Sequence, residues 1–276
     1  MSKYILFDIG GTNIKMASYD TCLSKVKEYP TEAKLGAEKL VEKIIDLISL
    51  ESDYAAIGIS TAGQVNAKDG YIIYANENMP GYTGTKWKEI LEAKFKVPVY
   101  VENDVNAVAL GEARFGAAKG QSDFVSIALG TGIGGAIYLN NKLYKGSTSA
   151  AGEIGHMITH AGGKQCTCGG EGCFECYASA NALINAVNKI SNEPLDAFQI
   201  FEKENMSKPE IRSEIDKWID EIILGLINII YIFNPPLIVI GGGIMNEDYI
   251  IELIDRKIYN RLMENFRNVK IERTKL

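Results

Sequence analysis

The sequence has no apolar run long enough to cross a bilayer. Its longest, Ile222 to Phe233, is interrupted by Gly225 and Asn228 and falls well short of the roughly 18 to 20 residues a spanning helix needs. Basic charge is not in excess either. The 29 Lys and Arg residues are scattered and outnumbered by 35 Asp and Glu, for a net charge of −6, which argues against an electrostatic footprint for nucleic acid or membrane. At the amino terminus, Tyr4-Ile5-Leu6-Phe7 runs directly into Asp8. That stretch is too short for the apolar region of a secretory signal, so a cytoplasmic location is expected. No low-complexity linker or charge block divides the 276 residues, a length that suits two packed lobes.

Two residue types stand out by their clustering. Glycine, at 27 residues, gathers at Gly10-Gly11, at Gly130 to Gly135 and at Gly241 to Gly243. Cysteine is scarce, at five residues, yet Cys166, Cys168, Cys173 and Cys176 fall within eleven positions. In a reducing compartment such crowding favours a metal over disulfides.

Alternation and periodicity predict a coarse element order. Strands are expected at 4–9, 13–19 and 26–29, with Gly10-Gly11-Thr12 as the hairpin turn between the first two. Helices are expected at 36–50, 87–95, from residue 104 to Gly116, and at 179–190, 196–204, 209–233 and 247–264. Further strands are expected at 54–60, 97–101, 124–129, 136–139 and 237–240. Both halves contain a strand, a Gly/Thr turn and a second strand.

Asp8-Ile9-Gly10-Gly11-Thr12 places a carboxylate at a strand end before a turn whose amides a phosphate can approach closely, because glycine has no Cβ to block it. This is neither the strand-to-helix G-x-G-x-x-G fingerprint nor a P-loop ending in Gly-Lys-Ser/Thr. An ordinary hairpin turn would read the same way, but the second turn, Gly130-Thr131-Gly132-Ile133-Gly134-Gly135, repeats its chemistry. Glu102-Asn103-Asp104 sits where a strand gives way to a helix, a position where either Asn103 or Asp104 can be an N-cap. An Asp there meets the positive end of the helix dipole, which favours its ionised form and so a proton acceptor. Gly152-Glu153-Ile154-Gly155-His156 followed by Cys166-x-Cys168-x4-Cys173 offers a closed tetrahedral Zn²⁺ shell, structural because no position is left for water. The residues alone leave six candidates for four places, since Cys176 and His160 are also at hand.

Together these motifs resemble the actin-like ATPase superfamily, and more specifically the ROK family of repressors, uncharacterised reading frames and sugar kinases, from residue 4 to about residue 245. The resemblance implies an α/β, two-lobed, ribonuclease H-like fold with ATP and sugar in the cleft between lobes, the small lobe at 1–107 and the large lobe at 108–276. It implies that Asp8, Gly10, Gly11, Thr12 and Lys15 serve the β and γ phosphates and Mg²⁺, with Thr131 and Gly132 on their other side and Gly242 under the adenosine. It makes Asn103 a sugar ligand and Asp104 the catalytic base. The family's Cys-x-Cys-Gly-x-x-Gly-Cys-x-Glu signature matches Cys166, Cys168, Gly169, Gly172, Cys173 and Glu175, and its zinc histidine matches His156. Glu153, His156 and Glu175 are further sugar ligands by the same resemblance, and Gly63 belongs to a loop near the sugar. In this reading the zinc ties the loop 166–173 to His156 and so fixes Glu153 and Glu175.

The expected activity is ATP-dependent phosphorylation of a hexose or hexose derivative at the 6-hydroxyl, as in a glucokinase, with a homodimer as the family expectation. The alternative is a sugar-responsive regulator or an actin-like ATPase without kinase activity. Only seven residues precede Asp8, too few for the helix-turn-helix that a repressor of this family would carry ahead of it.

Overall fold

The computed structural model describes residues 2–276. It divides into two compact units, one formed by the chain up to Ala107 with Lys145–Ala151, the other by Val108–Tyr144 and Gly152–Leu276. The segment Lys145–Ala151, assigned by the sequence to the second lobe, clusters with the first unit.

In the first unit, β1 (Lys3–Ile9), β2 (Asn13–Tyr19) and β3 (Lys27–Pro30) form an antiparallel meander. Helix α1 (Ala37–Ser49) leads to β4 (Tyr54–Thr61), which pairs parallel with β1. A small hairpin, β5 (Gln64–Asn66) and β6 (Tyr71–Tyr74), and α2 (Trp87–Phe95) precede β7 (Val99–Asn103), parallel to β4. The sheet order is β3-β2-β1-β4-β7. Leu40, Ile44, Leu47 and Ile48 recur at helical spacing on α1 and bury against the alternating Ile5, Phe7 and Ile9 of β1, which is why these two periodicities fold onto one core. Helix α3 (Asp104–Phe115) begins immediately after β7.

The second unit repeats the plan. Strands β8 (Phe124–Leu129), β9 (Ile133–Leu139) and β10 (Lys142–Leu143) are antiparallel, and β11 (Leu237–Gly241) and β12 (Lys270–Arg273) add in parallel to give β10-β9-β8-β11-β12. Between them lie α4 (Glu175–Ala178), α5 (Ala180–Val187), α6 (Ala197–Ile200), α7 (Lys203–Met206) and α8 (Pro209–Phe233), and α9 (Asp248–Ile258) follows β11. Proline at the first position of α8 costs no internal hydrogen bond, and Asn234, at a φ of 42°, ends the helix. Its buried residues from Ile211 through Ile230 line the core of this unit.

Three expectations need correction. Strand β9 begins at Ile133 because its register with β8 pairs Leu129 with Ile133, so the turn is only 130–132. Gly134 and Gly135 are strand residues, and a Cβ on Gly135 would lie 2.6 Å from the Gly152 carbonyl. The helix expected at 196–204 is broken into α6 and α7. An Asp196–Gln199 capping box starts α6, and the Asn205 amide takes the Gln199 carbonyl at 2.8 Å. Finally, the strand expected at 97–101 runs at 99–103, which brings Asp104 directly to a strand end.

Candidate active site

In an α/β sheet, ligands bind outside the carboxyl ends of the parallel strands. In the first unit β1, β4 and β7 end at Ile9, Thr61 and Asn103, and these are paired or neighbouring positions in register. One row back, Lys15, Asp8, Ser60 and Glu102 face one another across four strands. The sequence-predicted Asp8, Gly10, Gly11, Thr12, Lys15, Gly63, Asn103 and Asp104 are thus gathered at one sheet end by register alone.

Within that end, Ser60 donates its hydroxyl to Asp8 Oδ1 at 2.9 Å, fixing an exposed carboxylate. The Gly10 amide donates to Asn13 O at 3.0 Å, closing the turn. Gly11 faces open space, with nothing within 4 Å of where a Cβ would stand. Gly63 takes a φ of 94°, and a Cβ there would be 2.8 Å from the Tyr74 carbonyl. Glycine is therefore required by the turn itself.

Asn103 is the cap of α3. Its Oδ1 accepts from Asn106 N at 3.1 Å, and its Nδ2 donates to Gly63 O at 3.0 Å and to Asp104 Oδ1 at 2.8 Å. Both amide hydrogens are spent, so only acceptor capacity on Oδ1 remains. Asp104 Oδ1 also accepts from Val105 N at 2.8 Å. Burial raises the Asp104 carboxyl above its ordinary value, the Val105 amide opposes this, and the negative charge of Asp8 adds to the rise. The dipole-based expectation of a more acidic carboxyl is therefore reversed, because burial outweighs the helix-end donors. Glu102, beside it, pairs with Lys145 and accepts from Asn106 Nδ2 at 3.2 Å.

Sequence reasoning overlooked Ser60 and the buried chain of Trp87, Tyr82 and Thr61. Trp87 Nε1 donates to Tyr82 OH at 2.9 Å, and Tyr82 OH and Thr61 Oγ1 are 2.6 Å apart. Burial pushes the Tyr82 phenol up to about 12. Nothing in the local sequence signals this chain, since its members are 21 residues apart or more at one step.

In the second unit β8 and β11 also run parallel, with Gly130 following the last residue of β8 and Gly241 ending β11. Gly130 N donates to Gly132 O at 2.9 Å, and Ala180 N, at the start of α5, donates to Gly130 O at 2.9 Å. Thr131 is exposed at the tip of this turn. Gly242 takes a φ of 116° and would put a Cβ 1.9 Å from the Leu129 carbonyl, so tight packing of the two strand ends suffices to demand glycine there.

Among the described residues, His156, Cys166, Cys168 and Cys173 bring one ligand atom each to within 4.8 Å of one another. His156 Nδ1 lies 3.6 Å from Cys166 Sγ, and Cys168 Sγ lies 3.6 Å from Cys173 Sγ. A tetrahedron built on zinc bonds of about 2.3 Å to sulfur and 2.0 Å to nitrogen has edges of roughly 3.5 to 3.8 Å, so this donor set fits zinc. Burial pushes the Cys166 and Cys173 thiols up, while the Gly170 amide holds Cys168 below its ordinary value. Cys176 donates to Gln165 O instead, and His160 stacks on Tyr177 with centroids 4.0 Å apart.

Glu175 stands between this cluster and the glycine turn. Its Oε1 accepts from Cys166 Sγ at 3.2 Å and lies 3.8 Å from His156 Nδ1, while its Oε2 accepts from Ile133 N at 3.3 Å. Glu153 Oε2 lies 4.0 Å from His156 Nε2 and is half exposed. The structure thus brings Thr131, Gly132, Glu153, His156, Glu175 and the three cysteines into one neighbourhood of the second unit.

Comparison with known proteins agrees with this layout. The ROK family model matches residues 4–276. An uncharacterized protein of Clostridium perfringens is 37% identical over 100% of this chain and 94% of its own length. The glucokinase of Thermotoga maritima is 29% identical over 96% of this chain and 89% of its own. Among solved structures, a ROK family glucokinase from Streptomyces griseus in complex with glucose and AMPPNP matches with a TM-score of 0.83 at 28% identity, covering 99% of this chain and 93% of that one. With two sheets of like topology, glycine turns at their parallel strand ends and a His/Cys₃ cluster, the chain has the actin-like ATPase fold and belongs to the ROK family.

Proposed function

We propose that this protein is an ATP-dependent kinase acting on a hexose or hexose derivative, with Asp104 as general base. The observation that carries the reading is the asymmetry of the Asp104 carboxylate. Oδ1 is saturated by Asn103 Nδ2 and Val105 N, each at 2.8 Å, and among the described residues no other residue donates a hydrogen bond to Oδ2. One oxygen is held and the other is available to a substrate hydroxyl. A carboxyl raised by burial is a stronger base than a free aspartate, and proton acceptance late in a loose phosphoryl-transfer transition state needs no more.

In this reading Asp104 Oδ2 takes the hydroxyl proton as the sugar oxygen bonds to the γ-phosphorus and the bond to the ADP leaving group breaks. The 6-hydroxyl is the acceptor we favour, from the likeness to glucokinases. By family likeness, Gly10, Gly11 and Thr12, and likewise Thr131 and Gly132, would supply amides and hydroxyls to the polyphosphate. Gly242 would adjoin the adenosine and Lys15 the phosphates. Asp8, held by Ser60, offers the hard oxygen donor that suits Mg²⁺, which would neutralise phosphate charge. Sugar hydroxyls would be held by Asn103 Oδ1, Glu153, His156, Glu175 and the Gly63 loop. Zinc bound to His156, Cys166, Cys168 and Cys173 would have no open position and would serve as scaffold. We read the protein as cytoplasmic and as a homodimer on family likeness.

A coupled assay for ADP release across glucose, mannose, fructose, allose and N-acetylmannosamine at fixed MgATP tests the reading. Sugar-dependent ADP release is expected. Hydrolysis indifferent to every sugar would favour an ATPase instead, and sugar binding without ADP release a regulator.

A further inference from the structure

The first glycine turn is held from behind by a residue with no place in the motifs. Thr31, just beyond β3, is 2% exposed. Its hydroxyl donates to Gly10 O at 2.7 Å, and its backbone N–H donates to Thr12 O at 2.8 Å. The adjoining chain is anchored in turn, since Lys43 Nζ on α1 donates to Pro30 O and pairs with Glu32, both at 2.6 Å.

A trans peptide points its C=O and the following N–H in opposite directions, and no cis peptide occurs among the described residues. Fixing Gly10 O therefore fixes the Gly11 N–H, and fixing Thr12 O fixes the Asn13 N–H. The Gly11 amide makes no hydrogen bond among the described residues, and space beside Gly11 is open. The hydroxyl's one proton is spent on Gly10, and Thr31 is too buried to meet a ligand.

The second turn has an equivalent device built from backbone: Ala180 N holds Gly130 O at 2.9 Å, which fixes the Thr131 N–H in the same way. A hairpin turn needs no such backing to close, because Gly10 N and Gly130 N already close the two turns. What the extra donors add is a fixed amide direction.

We propose that Thr31 is a positioning residue for polyphosphate recognition, aiming the Gly11 amide at a nucleotide's terminal phosphates through its hydrogen bond to the Gly10 carbonyl. The proposal rests on the nucleotide-binding reading above and assigns a role that the family motifs do not. The amide serves the phosphates beyond the first, so its misorientation falls on ADP and ATP and spares AMP.

The test pairs two variants with opposite losses. Thr31→Val keeps the volume and the backbone donor and removes the hydroxyl, while Thr31→Ser keeps the hydroxyl and removes a buried methyl. Calorimetric titration with AMP, ADP and a non-hydrolysable ATP analogue in Mg²⁺ reads each phosphate separately. Thr31→Val is expected to weaken the triphosphate analogue about tenfold, the scale of one lost hydrogen bond, with AMP changed less than about twofold. Thr31→Ser is expected to retain wild-type preference for the triphosphate even where its unfolding midpoint falls. Equal weakening of AMP and the triphosphate in Thr31→Val would make Thr31 merely structural, and unchanged affinity for all three, or lost preference in Thr31→Ser, would overturn the proposal. Wild-type protein that binds none of the three nucleotides would overturn the nucleotide reading itself and the proposal with it.

Discussion

Replacing Asn103 by Ala should move the acid limb of kcat/KM upward. Three interactions go at once: the α3 cap on Asn106 N, the bond to Gly63 O, and the donor to Asp104 Oδ1. Losing a cap costs about 1 kcal/mol, and a hydrogen bond to a charged group contributes about 1.5 to 3 kcal/mol. Only the third loss acts on proton affinity. It removes stabilisation from the ionised form alone, so the folded pKa of Asp104 rises. At about 1.4 kcal/mol per tenfold change in proton affinity, the limb should move up by about one to two pH units, starting from a carboxyl that burial already raises in the wild type. Because the base must be deprotonated to work, the limb moves to higher pH and activity at neutral pH survives in part. Initial rates at limiting sugar from pH 4 to 8 would read this directly. Asn103→Ser, which still caps the helix but reaches less far, should recover stability more than it recovers the limb. An unmoved or lowered limb in Asn103→Ala, alongside a fallen unfolding midpoint, would refute the reasoning.

Other consequences can be checked at the bench. Asp104→Asn keeps an oxygen for both donors and removes a buried negative charge facing Asp8. The raised folded pKa means that the wild-type carboxylate loses stability as pH rises through that value, so the variant should melt higher at pH 7 while turnover falls by about 10² to 10⁴; a lower melting point would contradict this. Metal analysis should find one zinc per chain, lost in Cys166→Ser and kept in Cys176→Ser, whose thiol points to Gln165 O. Glu112 is fully buried and accepts from Ala117, Lys275 and Leu276 backbone amides. Glu112→Gln replaces one accepting oxygen by a donor and should cost about 2 to 3 kcal/mol in urea unfolding, with little effect on nucleotide affinity.

Local signals in the sequence reached far into this fold. The hairpin around Gly10 was legible because alternating apolar runs flank two glycines, and 87–95 and 209–233 were legible because helical spacing there is uninterrupted and, for the second, bounded by proline at both ends. The grouping of His156 with Cys166, Cys168 and Cys173 was legible from spacing joined to family likeness, since spacing alone left Cys176 and His160 in play. What escaped was whatever depends on a distant partner. Only the proton affinity of Asp104 departs from the expectation, because a helix dipole is a local property and burial is not. Thr31 carries no mark of its own, as its hydroxyl acquires a purpose only once β3 pairs with β2. The break at 201–202 depends on a carbonyl taken by Asn205, six residues from Gln199.

The Lys145–Ala151 excursion bears on how the molecule can be taken apart. Glu102, next to the proposed base, is neutralised by an ammonium encoded more than forty positions later, within a segment that leaves the second unit after Tyr144 and rejoins it at Gly152. A fragment cut after residue 107 would therefore carry an orphaned acid beside Asp104, and nicking near 148 should disturb catalysis while both halves stay folded. Dissection at the apparent boundary yields a piece whose chemistry is altered, so any faithful excision must splice this loop back in.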